Sequence, residues 1–143
     1  MNKIKISFEI NENYNRQEFR DFIKKLSNND PCLDCKEYEV ELYILTSNTD
    51  QNYVYTIAKL YNIDGSHIAM LPNIVDRIQF IKDNNIEITF ENNQEDVNQI
   101  NSQTTAFGLL VDSTIDFYLM GFKYISKFNN VLKILSREKK ENC

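Results

Sequence analysis

A chain of 143 residues suits one domain with a real core, and 42% hydrophobic with 26% charged residues is the balance of an ordinary globular protein. The net charge of −5 argues against a nucleic-acid partner, because such binding neutralises phosphates with Lys and Arg. No apolar run approaches the roughly 18 residues that span a bilayer, and no basic-then-apolar leader is visible, so no membrane association and a cytoplasmic location are expected.

Residues 3–10 read as the first strand, alternating apolar and polar positions. Glu18 to Leu26 carries Phe19, Phe22, Ile23 and Leu26 at helical spacing. The polar stretch from Ser27 to Glu37 reads as a loop. It holds Cys32-Leu-Asp-Cys35, which has the spacing of metal and redox sites. A zinc site needs further ligands, and the lone histidine, His67, lies far along the chain. Two plain thiols in a loop are the expectation, ahead of a reversible disulfide.

Val40 to Thr46 is a second, more continuously apolar strand, as in a buried parallel sheet. Ser47-Asn48-Thr49-Asp50 offers helix N-caps, and the helix behind it carries Tyr53, Val54, Ile57, Ala58, Leu60 and Tyr61. A short strand is expected from His67 to Met70, then a helix from Asn73 to about Asp83 entered through Pro72. Ile86 to Phe90 alternates as a strand, Gln94 to Ile100 reads as a short polar helix, and Ala106 to Val111 as a buried strand. An edge strand over 119–124 and a final helix over 125–137 complete the order. Lys133, Arg137, Lys139 and Lys140 there suit the negative end of the helix dipole.

Strands alternating with helices predict a three-layer α/β domain with a doubly wound, mostly parallel, Rossmann-like sheet over 1–137 and a frayed tail over 138–143. The short connections leave no room for a cap domain. The many asparagines, often paired, read as AT-rich coding of the kind found in phage or low-GC bacteria.

In such sheets ligands bind at the carboxyl ends of the strands. Strand one ends with Glu9, Asn11 and Asn13, whose alternation predicts that they line up on one face. Strand two ends with Thr46, Ser47 and Asn48, the fourth with Glu91, Asn92 and Asn93, and Asp112 follows the fifth. Carboxylates and hydroxyls at neighbouring tips suit a phosphate and Mg²⁺. Polar strand ends alone do not require a ligand, since they lead into loops.

The arrangement resembles the haloacid dehalogenase (HAD) superfamily of phosphohydrolases over nearly the whole chain. Members end strand one in Asp-x-Asp-x-Thr, where the first Asp attacks phosphorus and the second moves protons. The resemblance places Glu9 at the nucleophile, Asn11 at the acid/base and Asn13 at the Thr position. It makes Thr46, with Ser47 and Asn48, the phosphate binders, and Glu9, Glu91 and Asn92 the ligands of any Mg²⁺. No lysine opens the third helix, where the family holds one; Arg77 and Lys82 are the nearest cations.

Glu for Asp moves the carboxylate forward by about 1.5 Å, and misplacement of about 1 Å at a reacting centre can cost roughly 100-fold. An amide at Asn11 carries no proton, removing help typically worth ~10²–10⁴-fold. The expected protein is therefore a catalytically silent HAD-like domain that binds or scaffolds, with a protein partner or a second copy of itself. The alternative is a weak Mg²⁺-dependent phosphohydrolase of a small phosphate ester. A receiver-like module is disfavoured, because the third strand ends in Met70-Leu71-Pro72 without an Asp. Tyr14, Tyr53 and Tyr118 are the aromatic candidates for partner contact.

Overall fold

The computed structural model describes residues 2–15, 17–27 and 38–111. Expectations for Cys32, Cys35, Asp112, Tyr118, the strand at 119–124, the helix at 125–137 and the tail at 138–143 lie outside these residues. Strand β1 (Asn2–Phe8) leads through a 3-10 turn (Asn13–Asn15) into helix α1 (Gln17–Ser27). There follow β2 (Tyr38–Thr46), α2 (Gln51–Leu60), β3 (Ile68–Met70), α3 (Ile74–Asn84), β4 (Ile88–Glu91), α4 (Gln94–Gln103) and β5 (Phe107–Leu110).

The strands form one sheet in the order β3-β2-β1-β4-β5, parallel at every pairing. Parallel strands need crossover helices, and the helices cover both faces. Ile4, Ile6 and Phe8 of β1 join Ile44, Ile88, Phe90 and Leu109 on one face, against Phe19 and Ile23 of α1 and Val54 and Ile57 of α2. Tyr43, Leu45 and Ala69 meet Ile78 and Ile81 of α3 and Ile100 of α4 on the other. This is the doubly wound α/β fold expected from the alternation of elements. Its strand order reverses between β1 and β4, which puts the binding crevice of this fold class beyond those two strands.

Local chemistry sets where the helices start and stop. Asp50 caps α2 by accepting from the Tyr53 N–H at 3.2 Å, and Asn73 caps α3 by accepting from Val75 N–H at 2.8 Å. Asn93 accepts from the N–H groups of both Glu95 and Asp96 at the start of α4. Asn85 ends α3 in the left-handed region at φ 55°, a conformation asparagine tolerates better than most residues. Some of the asparagine in this chain thus does conformational work, beyond any coding bias. At Gly108 the backbone of α4 comes close: an added Cβ would lie 3.4 Å from the Val97 carbonyl oxygen.

Candidate functional site

Strand β1 ends at Phe8, two residues sooner than expected, so the period-two alternation does not carry through Glu9, Asn11 and Asn13. The chain instead turns, with Glu12 at φ 60°. The three side chains consequently do different jobs. Asn13 is fully buried and folds back, its Nδ2 donating to the Glu9 carbonyl at 3.1 Å. It belongs to the turn, not to the face of the site.

Glu9 is 2% exposed and curls over the strand end. Its Oε1 accepts from the backbone N–H of Ile10 at 2.9 Å and of Asn11 at 3.1 Å, and from the Thr46 hydroxyl. Its Oε2 accepts from the Ser47 N–H at 2.8 Å. Thr46 Oγ1 in turn accepts from Asn48 N–H at 3.0 Å. The tips of β1 and β2 are therefore joined through one carboxylate.

Asn11 completes the junction. Its Nδ2 donates to Ser47 Oγ at 2.7 Å, and its Oδ1 accepts from Asn48 Nδ2 at 3.0 Å. From β4, Asn92 Nδ2 donates to the Asn11 carbonyl at 2.9 Å. Glu9, Asn11, Thr46, Ser47, Asn48 and Asn92 thus meet at one place, at the point where the strand order reverses. Asn93, expected beside them, is spent on capping α4.

Glu91 is hydrogen-bonded within β4 rather than to this cluster. Ser7 Oγ donates to Thr89 Oγ1 at 2.7 Å, and Thr89 donates to Glu91 Oε2 at 2.6 Å, with all three residues buried. Burial pushes the Glu91 carboxyl up to about 8, opposed by the Thr89 hydrogen bond and reinforced by the Glu9 charge. At neutral pH this carboxyl holds its proton.

The donor set does not suit Mg²⁺, a hard cation that wants several free anionic oxygens. Glu9 already accepts four hydrogen bonds, Glu91 Oε2 accepts from the Thr89 hydroxyl, and Asn92 turns its amide nitrogen to the Asn11 carbonyl. Among the described residues, no group of three or more His, Cys, Asp or Glu side chains is placed to hold a metal ion.

Of the two cations considered for the missing lysine, Arg77 is 4% exposed and points inward. Its Nη1 donates to the Leu71 and Pro72 carbonyls at 2.7 and 2.8 Å, and its Nη2 meets Asp96 at 2.9 Å. Lys82 is exposed and lines a cavity of about 300 Å³ at the opposite end of the sheet, with Glu87, Thr105 and Phe107. His67 precedes β3 and faces the body of β2 instead of the strand tips. It stacks on Tyr43 at 4.1 Å, with Nδ1 3.1 Å from the Leu42 carbonyl and Nε2 3.2 Å from Glu41.

Sequence reasoning missed Ser7, Thr89 and Asp96. A signal existed for the first two: each is a hydroxyl residue inside a strand whose neighbours are apolar, a position that needs a hydrogen-bond partner. Asp96 sits in the first turn of α4, where an acid is unremarkable on dipole grounds.

No family model matches the chain, nor does any curated protein or solved structure. No described helix is long and apolar enough to cross a membrane.

Proposed function

We propose that this is a catalytically silent HAD-like domain that works by binding rather than by turnover. The observation that carries the reading is Asn11, whose amide bridges Ser47 and Asn48 at the tip of β1. An enzyme of the resembling kind needs a proton carrier there, and an amide held by two side-chain hydrogen bonds neither gives nor takes one. The engaged Glu9 carboxylate supports the same reading, since its electron pairs are directed at the protein's own donors.

Binding by such a domain is to another protein or to a second copy of the chain. Tyr53 and Leu60, at 38% and 66% exposure, stand seven residues apart on the outer side of α2 and supply apolar anchors. Tyr14 is less available, because its hydroxyl is 2.8 Å from that of Tyr61.

The test is phosphate release from an aryl phosphate at millimolar Mg²⁺, native protein beside Glu9→Ala. Neither protein should show Mg²⁺-dependent release. Release that requires both Mg²⁺ and Glu9 would overturn the reading and make this a phosphohydrolase.

A further inference from the structure

Among the described residues the sheet ends at β5, whose inner side pairs with β4. Alternate residues of such a strand turn their backbone groups toward the partner and away from it. Phe107 and Val111 donate inward, to the Glu87 and Glu91 carbonyls at 2.9 and 2.8 Å. Gly108, between them, therefore turns its N–H and its carbonyl to the outer edge. A bare edge of this kind is a template for an incoming strand.

Both outward groups of Gly108 are met by one side chain. Its N–H donates to Asn101 Oδ1 at 2.8 Å, and its carbonyl accepts from Asn101 Nδ2 at 3.4 Å, the longer and weaker bond of the two. A backbone N–H can only donate, which fixes Oδ1 on that side and leaves Nδ2 for the carbonyl. Residues directly opposite in an antiparallel pair exchange this same set of bonds. The carboxamide of Asn101, near the end of α4, thus puts the donor and acceptor of a peptide group where a neighbouring strand would run. A second side chain acts just before it: Thr104 Oγ1 accepts from the Ala106 N–H at 3.0 Å. The opposite edge is limited differently, since β3 has three residues and is followed closely by Pro72, which has no N–H to offer.

We infer that Asn101 closes the outer edge of β5 to strand addition by a second copy of this chain, its amide standing in for a further strand at Gly108. Asn101 lies seven residues before Gly108, so it competes with an incoming strand at an effective concentration of about millimolar or more. A second copy pairs here only by displacing it. This role is independent of the α2 contact proposed above, which uses Tyr53 and Leu60 and no group of β5.

The deciding experiment is amide hydrogen exchange with sedimentation on native protein and Asn101→Ala, each at micromolar and at millimolar concentration. In dilute solution the Gly108 N–H of Asn101→Ala should exchange roughly fivefold faster than in native protein, the effect of losing one such bond. At the higher concentration Asn101→Ala should associate and regain protection at Gly108, while native Gly108 is equally protected at both. Asn101→Asp retains an acceptor for the Gly108 N–H and should keep that amide slow. Unchanged Gly108 exchange in dilute Asn101→Ala would overturn the inference. So would a folded Asn101→Ala whose Gly108 amide stays fast at both concentrations, whether it associates through another surface or remains monomeric. Native protection at Gly108 that grows with concentration would count equally against it, by showing the edge already open. If Asn101→Ala does not fold, Asn101→Ser, with a shorter side chain than asparagine, is judged by the same criteria.

Discussion

Asn92, at the end of β4, donates through Nδ2 to the backbone carbonyl of Asn11 at 2.9 Å. This single bond crosses the point where the sheet changes winding direction, and it ties the turn after β1 to the strand that begins the other half. Asn92→Ala should therefore loosen that turn more than the sheet. We expect a loss of about 1 kcal/mol in urea unfolding, the usual net worth of one such bond. Amide exchange should quicken at Asn11 while Ile6 and Ile88 stay protected. Uniform loss of protection across β1 and β4 would show that the bond supports the sheet itself.

Glu91 makes stability depend on pH in a definite direction. Its carboxyl is raised from 4.5 to about 8 in the folded protein, so between those values the folded state keeps a proton that the unfolded chain has lost. Stability contributed by this group is then full below about 4.5, declines as pH rises, and is lost above about 8. Melting from pH 5 to 8 should show Tm falling more steeply in native protein than in Glu91→Gln, which keeps the shape without the titration. Identical slopes would remove Glu91 as the cause.

Arg77 joins the loop after β3 to α4 through the Leu71 and Pro72 carbonyls and Asp96. Replacing Asp96 by Ala leaves a buried guanidinium without its counter-charge. Breaking buried pairs typically costs about 3–5 kcal/mol; Asp96 is 21% exposed, so about 2–3 kcal/mol is expected here. Arg77→Met removes the charge and keeps much of the volume, and the double variant should be no worse than Asp96→Ala alone. Additive losses in urea unfolding would show that the two residues do not act through each other.

Gly108 lies where α4 approaches β5, with its N–H donating to Asn101 Oδ1 at 2.8 Å. A Cβ there meets Val97 and Ile100 at ordinary contact distance, so Gly108→Ala should be tolerated. Gly108→Val adds bulk that this contact cannot take, at a cost of about 1–3 kcal/mol. Thermal melts of the two variants check the difference, and equal Tm values would mean that α4 shifts freely.

Much of the architecture was legible because periodicity and caps are local properties. Phe19, Phe22 and Ile23 marked the buried face of α1, and Asp50, Asn73 and Asn93 stand where capping side chains are favoured. The convergence of Glu9, Thr46, Ser47 and Asn92 was also foreseeable, since parallel strands carry their carboxyl ends to one edge. The course of the chain after Phe8 was not. Whether Glu9 to Asn13 continue the strand or turn depends on what lies beside them, and Asn13 is buried by the turn it helps to build.

The order of apolar and polar residues by itself determined the class of fold, because burying faces of period 2 and period 3.6 in alternation leaves few arrangements. It also determined which residue types stand at the strand tips. Only the tertiary structure decided their state: Glu9 turned onto four donors from β1 and β2, Glu91 buried and protonated within β4, and Arg77 spent on Asp96 and two carbonyls. Hydrogen bonding and desolvation act over a few ångströms in space, here between residues from one to 82 positions apart in the chain, and no linear pattern encodes which donor will reach which acceptor first.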